Sequence, residues 1–448
     1  DTPGISARHR ARLFVLGART YSSHGELEKA GQLATTALQA ATEGADNWAI
    51  AWALHVLTIV TTMQGQMTDA LPLFDRALAV TESDPALTDL RLLLQINMAM
   101  TLASLDQYER AFGAARQGER LARQLGAVVR LAQAQTALGQ LSFDTGRWDE
   151  AVAEVETAAW PEHAAACNDL GIAAVICFHR GDLTAARRRL ASAAPRAERM
   201  GNRVNGPLAL ARSLDLEEAG LLPDALAVLT AGFADNTEEL EEIEDLLADA
   251  VRLAMRIGDI GTAQSLTGHA AALAAESEIP HRQANALYCR GLLDHDASSL
   301  LTAAERYDQA GRPLLRAQAL EAAAEEFIRS GDRGQARAAF TRAVEVFGSL
   351  GAAADVAKLQ AGFRAHGIRR GPHAKHRQAQ SGWDSLTPTE TKIAALVEAG
   401  LSNPEIAAKL LLSRRTIATH VSHILKKLDV HSRTDIAREA ALRTIAPR

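Results

Sequence analysis

One spacing recurs along the first 363 residues and limits what this chain can fold into. Take Gly25, Gly65, Asp106, Gly146, Gly181, Gly220, Gly258 and Gly331 as anchors. The residue five positions later is alanine every time: Ala30, Ala70, Ala111, Ala151, Ala186, Ala225, Ala263 and Ala336. Twelve positions after each anchor the residue is small again: Ala37, Ala77, Gly118, Ala158, Ala193, Gly232, Ala270 and Ala343. Gly or Asp at the anchor suits a left-handed turn between two antiparallel helices. Small residues seven apart share one face of the second helix and let its neighbours approach closely. The anchors fall 35 to 41 residues apart except across the last gap, Gly258 to Gly331, whose 73 residues predict a degenerate copy around Asp296.

This pattern resembles tetratricopeptide repeats, with longer and looser spacing. The resemblance implies an all-α superhelix whose concave face receives a peptide, a partner protein or a small effector. Trp48, Trp52, Tyr108, Trp148 and Trp160 fall at helical spacing and are read as packing residues rather than as a lining of that face. His163 and Cys167, i and i+4, are read as packing too. The acidic run Glu238, Glu239, Glu241, Glu242, Glu244 and Asp245 follows Asn236 and Thr237, and is expected to be a capped helix start with a solvated face. With 47% hydrophobic residues the chain can bury an extended helical core, yet no apolar stretch is long enough for a membrane span. No signal-peptide pattern opens it. Cys167, Cys177 and Cys289 are scattered, which argues for a reducing cytoplasm without a disulfide framework. The few lysines beside many arginines, and the abundant alanine, fit a high-GC bacterial source.

The C-terminal end has a different grammar. From Leu386 to Ala440, Thr387 with Glu390, Ser402 with Glu405 and Ser432 with Asp435 are spaced as capping boxes or their acidic variant, and Pro388 occupies a first helical position. A short turn, Leu411 to Ser413, separates the second and third predicted helices, and Ser413 can cap the third. On the third helix Ile417, Val421, Ile424 and Leu428 form a narrow stripe that should pack on Ile393, Leu396, Ile406 and Leu410. The opposite face carries Arg415, Ala418, Thr419, Ser422 and Lys426, with Arg414 at the helix start. A helix in the major groove offers its N-terminal exposed side chains to base edges and the basic residues at its far end to phosphates. Arg415, Ala418, Thr419 and Ser422 are therefore base-edge candidates, and Lys426 and Lys427 phosphate candidates.

The segment resembles the LuxR-type C-terminal domain of bacterial transcription factors. The motifs are L-T-P-x-E at Leu386 to Glu390, G-L-S-N-x-E-I-A at Gly400 to Ala407, S-x-R-T-I-x-x-H at Ser413 to His420 and I-L-x-K-L-x-V-x-S-R-T at Ile424 to Thr434. The resemblance implies a four-helix helix-turn-helix domain whose third helix reads DNA and whose fourth, roughly Thr434 to Leu442, supports a homodimer. It adds Arg414 to the base-edge set, and Thr416, His420 and Arg433 to the DNA-backbone set. Many family members carry Lys where this chain has Ala418, which shifts recognition here toward Arg414, Arg415 and Thr419. His420 and His423 lack a third ligand and are read as lying near the DNA backbone, not as a metal pair.

Charge is divided in the same way. From Arg364 to Arg448 there are 15 Lys and Arg against 7 Asp and Glu; the preceding 363 residues hold 33 against 47. The net charge of −6 thus hides a basic end on an acidic body. Arg364 to Gly382 contains five basic residues, three histidines and no carboxylate, and reads as a linker that also touches phosphates. The expected organisation is a helical-repeat domain over 1–363, a basic linker over 364–382 and a helix-turn-helix domain over 383–448.

No phosphate-binding loop, nucleophile elbow or dinucleotide fingerprint occurs, so no enzyme activity, cofactor or metal is expected. The large regulators related to the maltose activator join an ATP-binding signalling domain, a helical-repeat sensor and this terminal module. The chain resembles the last two parts, and because it begins at Asp1 an ATPase part upstream is an expectation. The reading is a cytoplasmic regulator whose body senses an effector or partner and controls binding of double-stranded operator DNA by paired terminal domains. The alternative is a protein-gathering repeat scaffold with an accessory DNA-binding domain.

Overall fold

In the computed structural model, residues 5–157, 166–199, 206–235, 244–275, 277–367, 382–410 and 414–445 are described. The chain divides into two compact units, 1–368 and 369–448. Among the described residues both are helical, without strands.

The first unit is a stack of hairpins. They are α1 (Ala7–Ser23) with α2 (Leu27–Glu43), α3 (Asn47–Met63) with α4 (Met67–Glu82), α5 (Thr88–Ser104) with α6 (Tyr108–Leu125), and α7 (Val128–Asp144) with α8 (Trp148–Thr157). There follow α9 (Ala166–Arg180) with α10 (Leu183–Arg199), α11 (Gly206–Glu218) with α12 (Leu222–Asp235), and α13 (Leu247–Ile257) with α14 (Ile260–Ala275). The stack ends with α15 (Pro280–Leu293) and α16 (Ala297–Gln309), α17 (Pro313–Ser330) and α18 (Arg333–Leu350), and the single helix α19 (Ala353–Ala365).

Each of the eight anchors sits in the turn inside a hairpin with φ between 57° and 85°. The alanine five residues on is 0% exposed in all eight copies. Ala37, Ala77, Ala193, Ala270 and Ala343 are likewise buried at the second small position, and Ala158 lies outside the described residues. A methyl group at these places lets the second helix lie against its neighbours without a side chain between them.

The degenerate copy is the α15–α16 hairpin. His295 takes the anchor's positive φ (57°), and Asp296 caps α16 by accepting from the Ser298 and Ser299 backbone N–H groups. The small positions are now Leu300 and Tyr307, both buried. Space for Leu300 comes from the facing helix: a Cβ on Gly291 would meet its Cγ at 2.8 Å. The small residue has changed helices, which is why this copy lacks the alanine.

Trp148 and Tyr108 are buried, Trp48 and Trp52 pack half-buried against the N-terminal cores, and Trp160 and His163 lie outside the described residues. Cys167, Cys177 and Cys289 are all buried. Of the acidic run, 238–243 lies outside the described residues. Glu244 contradicts the solvated reading: it is buried, accepting two hydrogen bonds from Arg282 at 2.8 and 2.9 Å and lying 3.1 Å from His281 Nε2. A carboxylate can be buried this way only because cationic donors saturate it. No helix is long and apolar enough to cross a membrane among the described residues. Of the linker expected over 364–382, residues 364 and 365 close α19 and 368–381 lie outside the described residues.

Candidate nucleic-acid interface

The second unit contains α20 (Pro388–Glu398), α21 (Asn403–Leu410), α22 (Arg414–Leu428) and α23 (Arg433–Ile445). Their starts follow the hydroxyl–acid pairs. At α20 the box is complete: the Glu390 N–H donates to Thr387 Oγ1 at 3.2 Å, and the Thr387 N–H donates back to the Glu390 carboxylate at 2.7 Å. At α21 Glu405 accepts from both the N–H and the hydroxyl of Ser402, at 2.7 and 2.6 Å. At α23 the Asp435 N–H donates to Ser432 Oγ, whose proton goes to the Asp435 carboxylate. These bonds hold Glu405 and Asp435 below the usual carboxylate range. The turn at 411–413, with the expected Ser413 cap, lies outside the described residues.

One core joins the four helices. Ile393, Ile406, Ile417, Val421, Ile424 and Ile436 are buried in it, and Leu396, Leu410 and Leu428 pack around them half-buried. The stripe and the surfaces it was expected to meet are thus brought together. With the stripe facing inward, Arg414, Arg415, Ala418, Ser422 and Lys426 are exposed on the other side of α22, and Thr419 is half-buried beside them. Two arginines at the helix start, two small residues and a hydroxyl form a surface that can enter a groove and donate to base edges.

The expected backbone contacts divide. Lys426 is exposed at the far end of the helix. Thr416 and His420, by contrast, are only 1% and 3% exposed, so neither is presented to a phosphate. The reason is geometric: at 3.6 residues per turn they lie roughly 60–100° to one side of the stripe, together with Lys427. On that flank α20 packs, its Glu390 accepting from Lys427 Nζ at 2.7 Å. Lys427 is therefore a half-buried tie between α22 and α20. Arg433 is similarly engaged, donating to Asn403 Oδ1 at 2.5 Å and to the Leu401 carbonyl, which ties the start of α23 to the start of α21. Helical spacing sets the centre of the buried stripe but not its width, which depends on how the other helices wrap.

Residues 384–440 match the family described as bacterial regulatory proteins, luxR family. A Mycobacterium bovis protein named as an HTH-type transcriptional regulator is 47% identical over 75 residues, 17% of this chain and 8% of that one. The transcriptional regulatory protein LiaR of Bacillus subtilis is 43% identical over 54 residues, 12% of this chain and 26% of its own length. The chain thus spans only a small part of these relatives. Among solved structures, the human IFIT1 dimer with m7Gppp-AAAA aligns over 88% of this chain and 81% of that one, with 14% identity and a TM-score of 0.39, which says nothing of what the body binds. The C-terminal unit is a LuxR-family helix-turn-helix domain, a DNA-binding domain.

Proposed function

We propose that the chain is a sequence-specific transcriptional regulator in which an effector or partner held by the helical-repeat body controls DNA binding by the terminal domain. The observation that carries this reading is the division of α22: its apolar stripe is buried while Arg414, Arg415, Ala418, Ser422 and Lys426 stand exposed together. In this reading Arg414, Arg415, Thr419 and Ser422 reach base edges, Ala418 makes close apolar contact, and Lys426 neutralises a phosphate. Lys427 and Arg433, both bonded within the domain, position α22 and α23 and meet the backbone only with their remaining donors. Two domains paired through α23 would read a two-fold operator.

The test is selection from a random duplex pool with the whole chain, followed by affinities for the selected and a scrambled duplex across a salt series. A regulator selects a two-fold symmetric site and binds it about 10³-fold or more above scrambled DNA. Salt-sensitive binding without preference would favour the scaffold reading. Control by the body fails if effector-loaded and empty protein bind the selected site equally.

A further inference from the structure

The hairpin stack folds back on itself, and two histidines lie on the seam. In a solenoid each repeat touches its neighbours. Here the turns anchored by Asp106, Gly146 and Gly181 also meet helices more than 160 residues downstream. A Cβ on Gly146 would lie 2.5 Å from Leu350 and 2.7 Å from Pro313, and one on Gly181 would lie 3.6 Å from Ala354.

Around Asp106 the seam is ionic. Its carboxylate accepts from the backbone N–H of His281 at 2.9 Å, from His281 Nδ1 at 2.9 Å and from Arg312 Nε at 3.3 Å. His281 Nε2 reaches Glu244 at 3.1 Å, Glu244 holds Arg282, and Arg312 reaches Asp245 at 2.8 Å. Three carboxylates and three cations close on one another, and Asp106, Glu244, His281, Arg282 and Arg312 all have side chains under a tenth exposed. Tyr108 and Asp144 flank Arg312. Further along, His179 Nδ1 meets Asp355 of α19 at 2.9 Å; Asp249, Arg252 and the Trp148 ring face the same imidazole.

An imidazole that bonds two carboxylates must donate from both nitrogens, so His281 is an imidazolium in this arrangement. We propose that His281, seated between Asp106 and Glu244 and seconded by His179 on Asp355, is a protonation-dependent latch that joins the N-terminal and C-terminal halves of the body. The hairpins stack through their alanine faces without it, so releasing the latch parts the halves while each hairpin stays folded. Burial and Arg312 push the His281 titration down, but the bonds to Asp106 and Glu244 outweigh both and raise it. For His179, burial is likewise outweighed by Asp355 and Asp249. Raised in the closed state, both groups contribute fully below the ordinary histidine value of 6.5, and the contribution is lost as pH rises through the closed-state titration.

Hydrogen exchange of the full chain between about pH 6 and about pH 9, corrected for intrinsic rates, tests this. Protection at the His281 backbone N–H and at the turn around Asp106 should fall with pH, by up to about tenfold per pH unit for one linked proton, while α3 and α4 stay protected. Asp106→Asn suits the left-handed turn and removes an anionic acceptor, so its seam should already be poorly protected near pH 6. If that variant does not fold, His281→Gln serves, and its seam protection should fall less steeply with pH than the wild type's, with only the His179 proton still linked. Wild-type protection that does not change with pH, or a variant that keeps the wild-type slope, would overturn the latch.

Discussion

Lys427 Nζ lies 2.7 Å from the carboxylate of Glu390, a fully buried side chain that also closes the capping box of α20. One carboxylate thus sets the start of α20 and ties down the far end of α22.

Glu390→Ala should therefore destabilise the terminal domain by roughly 2–4 kcal/mol, combining loss of a cap with the breaking of a largely buried pair. Hydrogen exchange of the full chain would show lost protection across both α20 and α22. Loss confined to α20 would mean that the lysine tie contributes nothing.

His420→Ala should act on folding rather than on the phosphate contact expected from its position in the sequence. The ring is buried, so the variant should lower the melting temperature of the domain and leave the salt slope of DNA binding unchanged at temperatures where it is folded. A slope smaller by about one would restore His420 to the DNA backbone.

Much of the architecture was legible because it rests on local steric demands. A positive φ followed by methyl-sized residues at fixed offsets can be read from one chain, and so can hydroxyl–acid pairs at helix starts. What could not be read depends on elements distant in sequence. Leu300 replaces the alanine of the other copies because Gly291 faces it, and Thr416 and His420 are buried because α20 covers that flank. Glu244 looked like part of a solvated run because nothing local signals His281 and Arg282, 37 and 38 residues on.

Close approach should separate glycines that otherwise look alike. A Cβ on Gly171 would sit 2.5 Å from the Leu208 backbone nitrogen, so Gly171→Ala must push α9 from α11 and should cost about 1–3 kcal/mol or more. Gly331→Ala meets open space and carries only the strain of φ 85°, about 1–2 kcal/mol. Urea denaturation of both variants checks the order; equal costs would remove the α9–α11 contact from the account.

Burial pushes the Asp169 carboxyl up to about 7 against the hydrogen bond from Thr136. The folded state then keeps a proton that the unfolded chain releases near 3.8, so this group makes stability fall as pH rises from about 4 to about 7. Asp169→Asn should remove that component and gain on the wild type toward neutral pH. Parallel stability curves for the two proteins would show that Asp169 is charged in the fold.

The central claim, that the exposed face of α22 reads DNA, is tested most directly by comparing Arg415→Ala with Lys426→Ala on the selected and scrambled duplexes across a salt series. Arg415→Ala should cost about 1–3 kcal/mol on the selected site and relax the preference at one base position. Lys426→Ala should weaken binding to every sequence alike and reduce the salt slope by about one. If neither variant changes affinity or slope while both remain folded, α22 does not read DNA and the account is contradicted.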